Sequence, residues 1–483
     1  MNVQRLTTPW EFRSPLYSLP GSLVIKLALG EAPENIPTSL DVRCHAQQAA
    51  ARLNVGVVDR ILKHFSHGVR ISRVFTAASS CRRPGQRHRN YDDVEHVTGL
   101  SRTFRIEADR ACCITDLVDA LRQTAVVEQA GPNYLSALPF NVATPSRAVS
   151  SVSLEEAWLS RQQVNMAEAL AYEPGDPAVI VAVVDTGVVQ GHPELRGRMR
   201  AGVDTVQLGS GDLATGIRFV GDQLGIDTDP EDLVGHGTAC AAIVRAVGQH
   251  LPPGLAGACS LLPVRVLGAA KFPGKQRLVG LGSIADIDLG VKYAIDLGAK
   301  VINMSFGTPA PAEEVSDFQP HADVVLYGLT RGCVMVAASG NSSKEEQYYP
   351  AALPNVIAVG AVDAENNPSR FSTRGEHVTL CAPGEQIHSA GLNGYSLVTG
   401  TSFAAPFVAS AAGLLVSRAA RRSFPLSSAD VHQLLNASAQ PWQRQSVKGC
   451  GLGVLDTYAA LSLLDRRIDK STHSGLPPPK TSL

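Results

Sequence analysis

The sequence predicts a doubly wound α/β domain with a mostly parallel sheet, preceded by a small α+β domain. Three observations predict this. Apolar runs such as Ala178-Val-Ile-Val-Ala-Val-Val184, Val334-Met-Val-Ala-Ala338 and Asn355-Val-Ile-Ala-Val-Gly360 lack period-two alternation, as strands buried on both faces of a parallel sheet do. Helical stretches lie between them, including 283–297 and 403–421, and alternation of strand and helix implies a doubly wound sheet. A Pro-, Ser- and Ala-rich stretch at 136–152 divides this texture from the residues before it and reads as an exposed linker. The expected domains are therefore 1–136, a linker at 137–153, the main domain at 154–464 and a flexible tail at 465–483.

The first domain has its own order. Ser22-Leu-Val-Ile-Lys-Leu-Ala-Leu29 reads as a strand, 40–65 as helical, and Val69-Arg-Ile-Ser-Arg-Val-Phe75 as a strand. A strand at 103–107, a helix at 114–123 and a strand at 125–128 complete it. The order β-α-β-β-α-β is the split unit of ferredoxin-like folds. The intervening loop at 78–93 is rich in Arg, Gly and Pro. Its basic part, 82–89, is either a contact for an acidic partner or, more commonly for such a run, a solvated surface.

Composition narrows the function classes. A net charge of −1 over 483 residues gives no basic excess for a nucleic-acid partner. No stretch reaches about 18 uncharged apolar residues, so no membrane span is expected. The beginning, Met1-Asn-Val-Gln-Arg5 onward, lacks the apolar core of a secretory signal. The nine cysteines are odd in number and show no Cys-x-x-Cys pair. They suggest reduced thiols, and a cytoplasmic location is the expectation, with export by another route the alternative.

Acyl transfer by a serine needs a base for the hydroxyl proton, an acid to orient that base, and donors for the developing oxyanion. Asp185 ends an apolar run in Val183-Val-Asp-Thr-Gly187, at the sheet edge where open α/β folds carry their sites. His236 opens a helical run in Gly235-His-Gly-Thr-Ala-Cys-Ala-Ala242, and Ser402 opens another in Gly400-Thr-Ser-Phe-Ala-Ala-Pro406. Asn341 follows a strand in Ala338-Ser-Gly-Asn341, with an amide suited to donate to an oxyanion. Alone, each of these residues reads as a turn former or helix cap. Their joint occurrence on one α/β framework points to catalysis.

These four segments, in the order Asp, His, Ser, resemble the hallmark motifs of the subtilisin-family (subtilase) serine proteases. Val301-Ile-Asn-Met-Ser-Phe-Gly307, Pro354-Asn-Val-Ile-Ala-Val-Gly360, Cys381-Ala-Pro-Gly384 and Gly451-Leu-Gly-Val-Leu-Asp456 add to the likeness, which covers roughly 155–462. The resemblance implies a serine endopeptidase acting on a protein or peptide substrate. Ser402 would be the nucleophile, His236 the base, Asp185 its orienting acid and Asn341 an oxyanion donor. It also implies that Ser305, Phe306 and Gly307 line the substrate strand, and that Ala338, Ser339 and Gly340 wall the pocket for the residue before the cut. Tyr348 would stand at the floor of that pocket.

Two departures stand out. Phe403 replaces a common Met after the serine. Residues 205–226 form a longer Gly-rich connection than compact members carry, with Asp227, Asp229 and Asp232 just after it. Those acids lack a diagnostic calcium spacing, so no metal or cofactor is assigned and calcium stays an alternative. The first domain resembles the family's inhibitory propeptide, with Val126-Val-Glu-Gln-Ala-Gly-Pro-Asn-Tyr134 as its last strand. That likeness implies an intramolecular inhibitor and self-cleavage in the linker, with Phe140–Asn141 the preferred bond. A dedicated precursor-maturation protease is a narrower form of this expectation. A non-catalytic binding module on the same fold is the alternative.

Overall fold

In the strand Ile180–Asp185 every side chain is buried, although successive residues point in opposite directions. Val181 and Val183 enter one apolar core with the helices His236–Arg245 and Thr401–Arg421. Ile180, Ala182 and Val184 enter another with the helices Ile284–Asp296 and Ala322–Thr330. The strand pairs in parallel with Val301–Met304 on one side and Ser260–Arg265 on the other. This is a helix–sheet–helix sandwich, and it explains the apolar runs without alternation. The computed structural model describes residues 18–31, 33–78, 91–138, 147–149, 153–197, 199–209, 216–274, 276–309, 319–443 and 448–474.

The central sheet has nine strands, and the first partners outward are Val334–Ala338, Ile357–Val362 and Val378–Pro383, all parallel. A short antiparallel pair, Gln440–Pro441 with Gly453–Val454, closes that edge. The helix Thr401–Arg421 is long and apolar enough to cross a membrane, but most of it is buried in the core. The strands Ile180–Asp185, Val301–Met304 and Val334–Ala338 are neighbours and end together at the C-terminal edge of the sheet, the edge where open α/β sheets carry their sites.

The first domain is an antiparallel sheet in the order Val69–Arg73, Thr103–Ala108, Ser18–Leu27, Val127–Ala137. Leu23, Ile25, Phe104 and Ile106 face the helices Gly56–Phe65 and Ile114–Arg122. The other face lies on the main domain. Lys26 bonds Asp323 at 2.9 Å, Arg105 bonds Asp286 at 3.0 Å, and Glu95 pairs with Lys292 at 2.7 Å. Val74, Phe75 and Leu100 complete this contact by joining the second apolar core of the main domain.

Several expectations need correction. The span 40–65 holds two helices, Ser39–Arg43 and Gly56–Phe65. Between them Ala50 pairs with Ile71, and Asn54 turns at φ 65°. A helix that sequence reasoning does not place, Asp93–Val97, begins at the end of the loop at 78–93 and is opened by a capping box between Asp92 and Glu95. The last strand of the domain runs to Ala137, and Ser136, Ala137 and Leu138 are buried rather than exposed linker. Arg147–Val149 pairs with Gly394–Val398. Residues 82–89 and the Phe140–Asn141 bond lie outside the described residues. The tail is helical from Thr457 to Ser474. Asp465 is tied there to Arg418 at 2.5 Å, and Ile468 is buried, so the polar composition of 465–474 hides a docked helix face.

One loop beside the sheet is held by a single carboxylate. Glu194 is fully buried, and its two oxygens accept the N–H groups of Gly248, Gln249, His250 and Leu251 at 2.6–3.1 Å. Glu194→Ala removes the acceptor from all four donors and should lower stability by about 2 kcal/mol. The urea unfolding midpoint checks this.

Candidate active site

Asp185 is the last residue of its strand and is fully buried. Its Oδ1 accepts the Thr186 N–H at 2.7 Å and lies 2.7 Å from His236 Nδ1. Gly237 lets the His236 helix approach this strand, since a Cβ there would stand 2.2 Å from the Gly187 carbonyl oxygen. The Gly237 N–H donates to Thr186 Oγ1 at 2.9 Å. The turn before His236 is fixed by Asp232. Its Oδ1 takes the N–H groups of Val234 and Gly235, and its Oδ2 takes the N–H and hydroxyl of Thr238.

Ser402 is the second residue of the helix Thr401–Arg421, entered through Gly400 at φ 149°. The Thr401 N–H and hydroxyl donate to Asn341 Oδ1 at 2.9 and 2.8 Å. The Asn341 amide is thereby oriented. Its Nδ2 sits 3.2 Å from where a Cβ on Gly400 would stand, on the side from which Ser402 begins its helix. Ser305 Oγ donates to the Ser402 carbonyl at 2.7 Å and accepts from Asn303 Nδ2 at 2.9 Å. Phe403 packs against the His236 ring, with centroids 4.9 Å apart.

Cys240, one helical turn after His236, ties the two halves together. Its Sγ donates to the Ser402 carbonyl at 3.4 Å and lies 4.0 Å from His236 Nδ1. Burial, together with the charge of Asp185, pushes this thiol well above the ordinary range. It is a packed, neutral group.

The residues expected at the substrate strand divide by direction. The side chains of Ser305 and Phe306 point into the protein, Phe306 against the His321 ring. Only their backbone is left for a substrate. Ser339 is also turned inward, its hydroxyl donating to the Thr373 carbonyl at 3.2 Å, and Ala338 is buried. Tyr348 fits between Gly307 and Gly340. A Cβ on Gly307 would meet its Cδ1 at 3.1 Å, and one on Gly340 its Cδ2 at 2.8 Å.

A strand of the first domain lies between residues 280–283 and Thr308. Leu135, Ser136 and Ala137 pair antiparallel with Ser283, Gly282 and Leu281. The Leu138 N–H donates to the Gly280 carbonyl at 3.0 Å. On the far side, the Ser136 and Thr308 hydroxyls are 3.3 Å apart. A Cβ at Gly280 would touch both Leu138 and Thr186, the residue after Asp185. The end of the first domain therefore reaches the neighbourhood of Asp185.

Residues 176–460 match the model of the subtilase family. The chain belongs to that family. Thermitase from Thermoactinomyces vulgaris is 36% identical over 261 residues, 53% of this chain and 81% of thermitase. Subtilisin Savinase from Lederbergia lenta is 34% identical over 239 residues, 49% of this chain and 76% of its own length. Among solved structures, the prenylagaramide maturation protease superposes with a TM-score of 0.50 at 28% identity, covering 62% of this chain and 98% of that one. The protein is a subtilisin-like serine endopeptidase, and its α/β architecture is that of the subtilases.

The structure brings Asp185, His236, Asn341 and Ser402 to one edge, together with positioning groups that sequence reasoning misses. Thr401 stands inside a motif without a role of its own there, and its hydroxyl is what aims Asn341. Asp232, one of the acids open to calcium on sequence alone, has its oxygens engaged by the His236 loop. A different acidic group, Asp204, Asp222 and Asp227, brings its oxygens within 4.8 Å, and Arg265 pairs with Asp204 there.

The thiol geometry yields a test. An organomercurial on Cys240 needs volume that lies between His236 and the Ser402 backbone, so it should abolish peptide hydrolysis. Cys240→Ser should keep most of its activity at the same dose, as titration of both proteins with p-chloromercuribenzoate will reveal.

Proposed function

We propose that this endopeptidase uses Ser402 as nucleophile, His236 as base, Asp185 as orienting acid and Asn341 as oxyanion donor. The observation that carries the reading is the 2.7 Å Asp185–His236 hydrogen bond at an edge where the starts of two helices meet. Ser402 gives its proton to His236 while attacking the scissile carbonyl, and His236 returns it to the leaving amine. Asp185 fixes the imidazole tautomer and stabilises its charged form. The Asn341 Nδ2 and the Ser402 N–H hold the oxyanion. The reaction needs no cofactor.

The first domain, in this proposal, is a ferredoxin-like propeptide that inhibits the cleft and is cut from the protease within 137–153. Its strand order and the strand at 135–138 support this reading. Tethering gives that segment an effective concentration of about millimolar, enough to occupy a cleft of modest affinity. The likeness to the prenylagaramide maturation protease favours a dedicated substrate over general proteolysis. A reducing compartment belongs to the proposal, resting on eight unpaired cysteines among the described residues.

Ser402→Ala should cut turnover by at least about 1,000-fold, the size of loss seen when a subtilisin loses its nucleophile being larger still. It should leave the thermal unfolding curve in place and the chain uncut, whereas active wild type should begin within 137–153. N-terminal sequencing of both proteins reads this, and an uncut but fully active wild type would remove the zymogen part.

Tyr348 sets a second expectation. With its ring between Gly307 and Gly340, the pocket accepts small side chains before the cut. Tyr348→Gly should raise kcat/KM for Phe over Ala at that position by about tenfold, read with paired fluorogenic peptides.

A further inference from the structure

The sheet of the first domain does not end at Val127–Ala137. It continues antiparallel through Val279–Ser283, Gly268–Lys271 and Arg218–Val220 of the main domain. Residues directly opposite in antiparallel strands put their side chains on the same face. The register aligns Ala137 with Leu281, then Val279 with Ala270, then Ala270 with Phe219. Leu135 lies two residues before Ala137 and shares its face.

That face is not open to water. Leu135 and Ala137 are buried in one apolar cluster with Leu19 of the first domain and Val206, Leu208, Ile217, Ala270, Phe272 and Leu281. Leu135 is 2% exposed and Phe272 8%. Val206 and Leu208 belong to the long connection before the His236 motif, and Ile217 lies on its return. Ser136, between the two apolar residues, faces Thr308 on the opposite side. Main-chain ladder bonds hold any sequence in such a groove, so selection falls to the pockets that receive alternate side chains.

We propose that Val206, Leu208, Ile217, Ala270, Phe272 and Leu281 form an apolar subsite that selects an aliphatic side chain on the substrate, at the position Leu135 now occupies. The inference rests on the peptidase reading and on residues 135–138 tracing the substrate path. The ligand is an extended peptide with Leu, Ile, Val or Met at that position and a small apolar residue two places later. A charged residue there would be desolvated against the buried apolar side chains of this cluster, so the subsite also rejects. This selection acts away from Tyr348 and from the triad, on the upstream part of the substrate.

Two measurements test it on the protease with its first domain bound, cut or uncut. A fluorophosphonate labels Ser402 only when the cleft is open, so its rate reports release of the strand at 135–138. Leu135→Asp should raise that rate at least tenfold, while Leu135→Met should stay within threefold of wild type. Equal rates for wild type and Leu135→Asp, both folded by circular dichroism, would overturn the inference. The second arm uses fluorogenic peptides copying residues 133–142 with Leu or Ser at the position of Leu135. The Leu peptide should show at least tenfold higher kcat/KM, mainly through KM, and Phe272→Ala should narrow the ratio to within threefold. A ratio near one in wild type, or one that Phe272→Ala leaves unchanged, counts against the subsite. A chain that neither reacts with the fluorophosphonate in any variant nor cuts either peptide would instead defeat the catalytic reading of Ser402.

Discussion

The arrangement depends on a strand that water never reaches. Ile180–Asp185 is paired in parallel on both sides and packed on both faces. A shift of one residue would exchange its two apolar faces and withdraw Asp185 from the sheet edge. Because the register cannot slip, the carboxylate is delivered to one place. His236 meets it there only because Gly237 lets backbone pass within van der Waals range of Gly187. The geometry of the candidate site is thus a consequence of sheet packing, and the local hydrogen bonds refine it.

The same logic explains what could be read in the sequence. Uninterrupted apolar runs reported two-sided burial directly, and Asp185, which ends one, and Asn341, just after another, fell at the C-terminal edge. Residues whose role depends on a distant partner left no local trace. Asp232 looks like any loop acid until its four donors are seen, and Thr401 looks like a helix cap until Asn341 stands beside it. Residues 136–138 read as linker because small and polar residues dominate the stretch from there to 152. Burial of that strand end is imposed by Val279–Ser283, a partner far along the chain. The helix face at 465–474 was hidden likewise, since its anchor is Arg418 on another helix.

The contact between the two domains is built from charges as much as from apolar groups. Lys292 and Glu95 are each about 1% exposed, and Asp286 and Arg105 are nearly as deeply buried. Burial raises the Asp286 carboxyl to about 6 despite Arg105 beside it. Pairs of this kind add little net stability over apolar packing, but stranding one partner is costly. Such an interface rewards the matched domain far more than an arbitrary surface. It docks the sheet in one orientation, and that orientation feeds Val127–Ala137 into the cleft in register.

Register then links the proposed recognition to the proposed inhibition. The strand in the cleft uses main-chain bonds that any extended peptide can make, so by themselves these would favour neither the tethered segment nor a foreign one. Its side chains break the tie. Leu135 and Ala137 enter a wall that the long connection before His236 helps to build, while Ser136 and Leu138 face Thr308 and Gly280. A peptide that displaces this strand must match both faces, and before the proposed cut it also competes with a segment held at about millimolar effective concentration. Few sequences satisfy both demands at once. On the proposed reading, the long connection before His236 narrows the substrates without altering the groups proposed to perform hydrolysis.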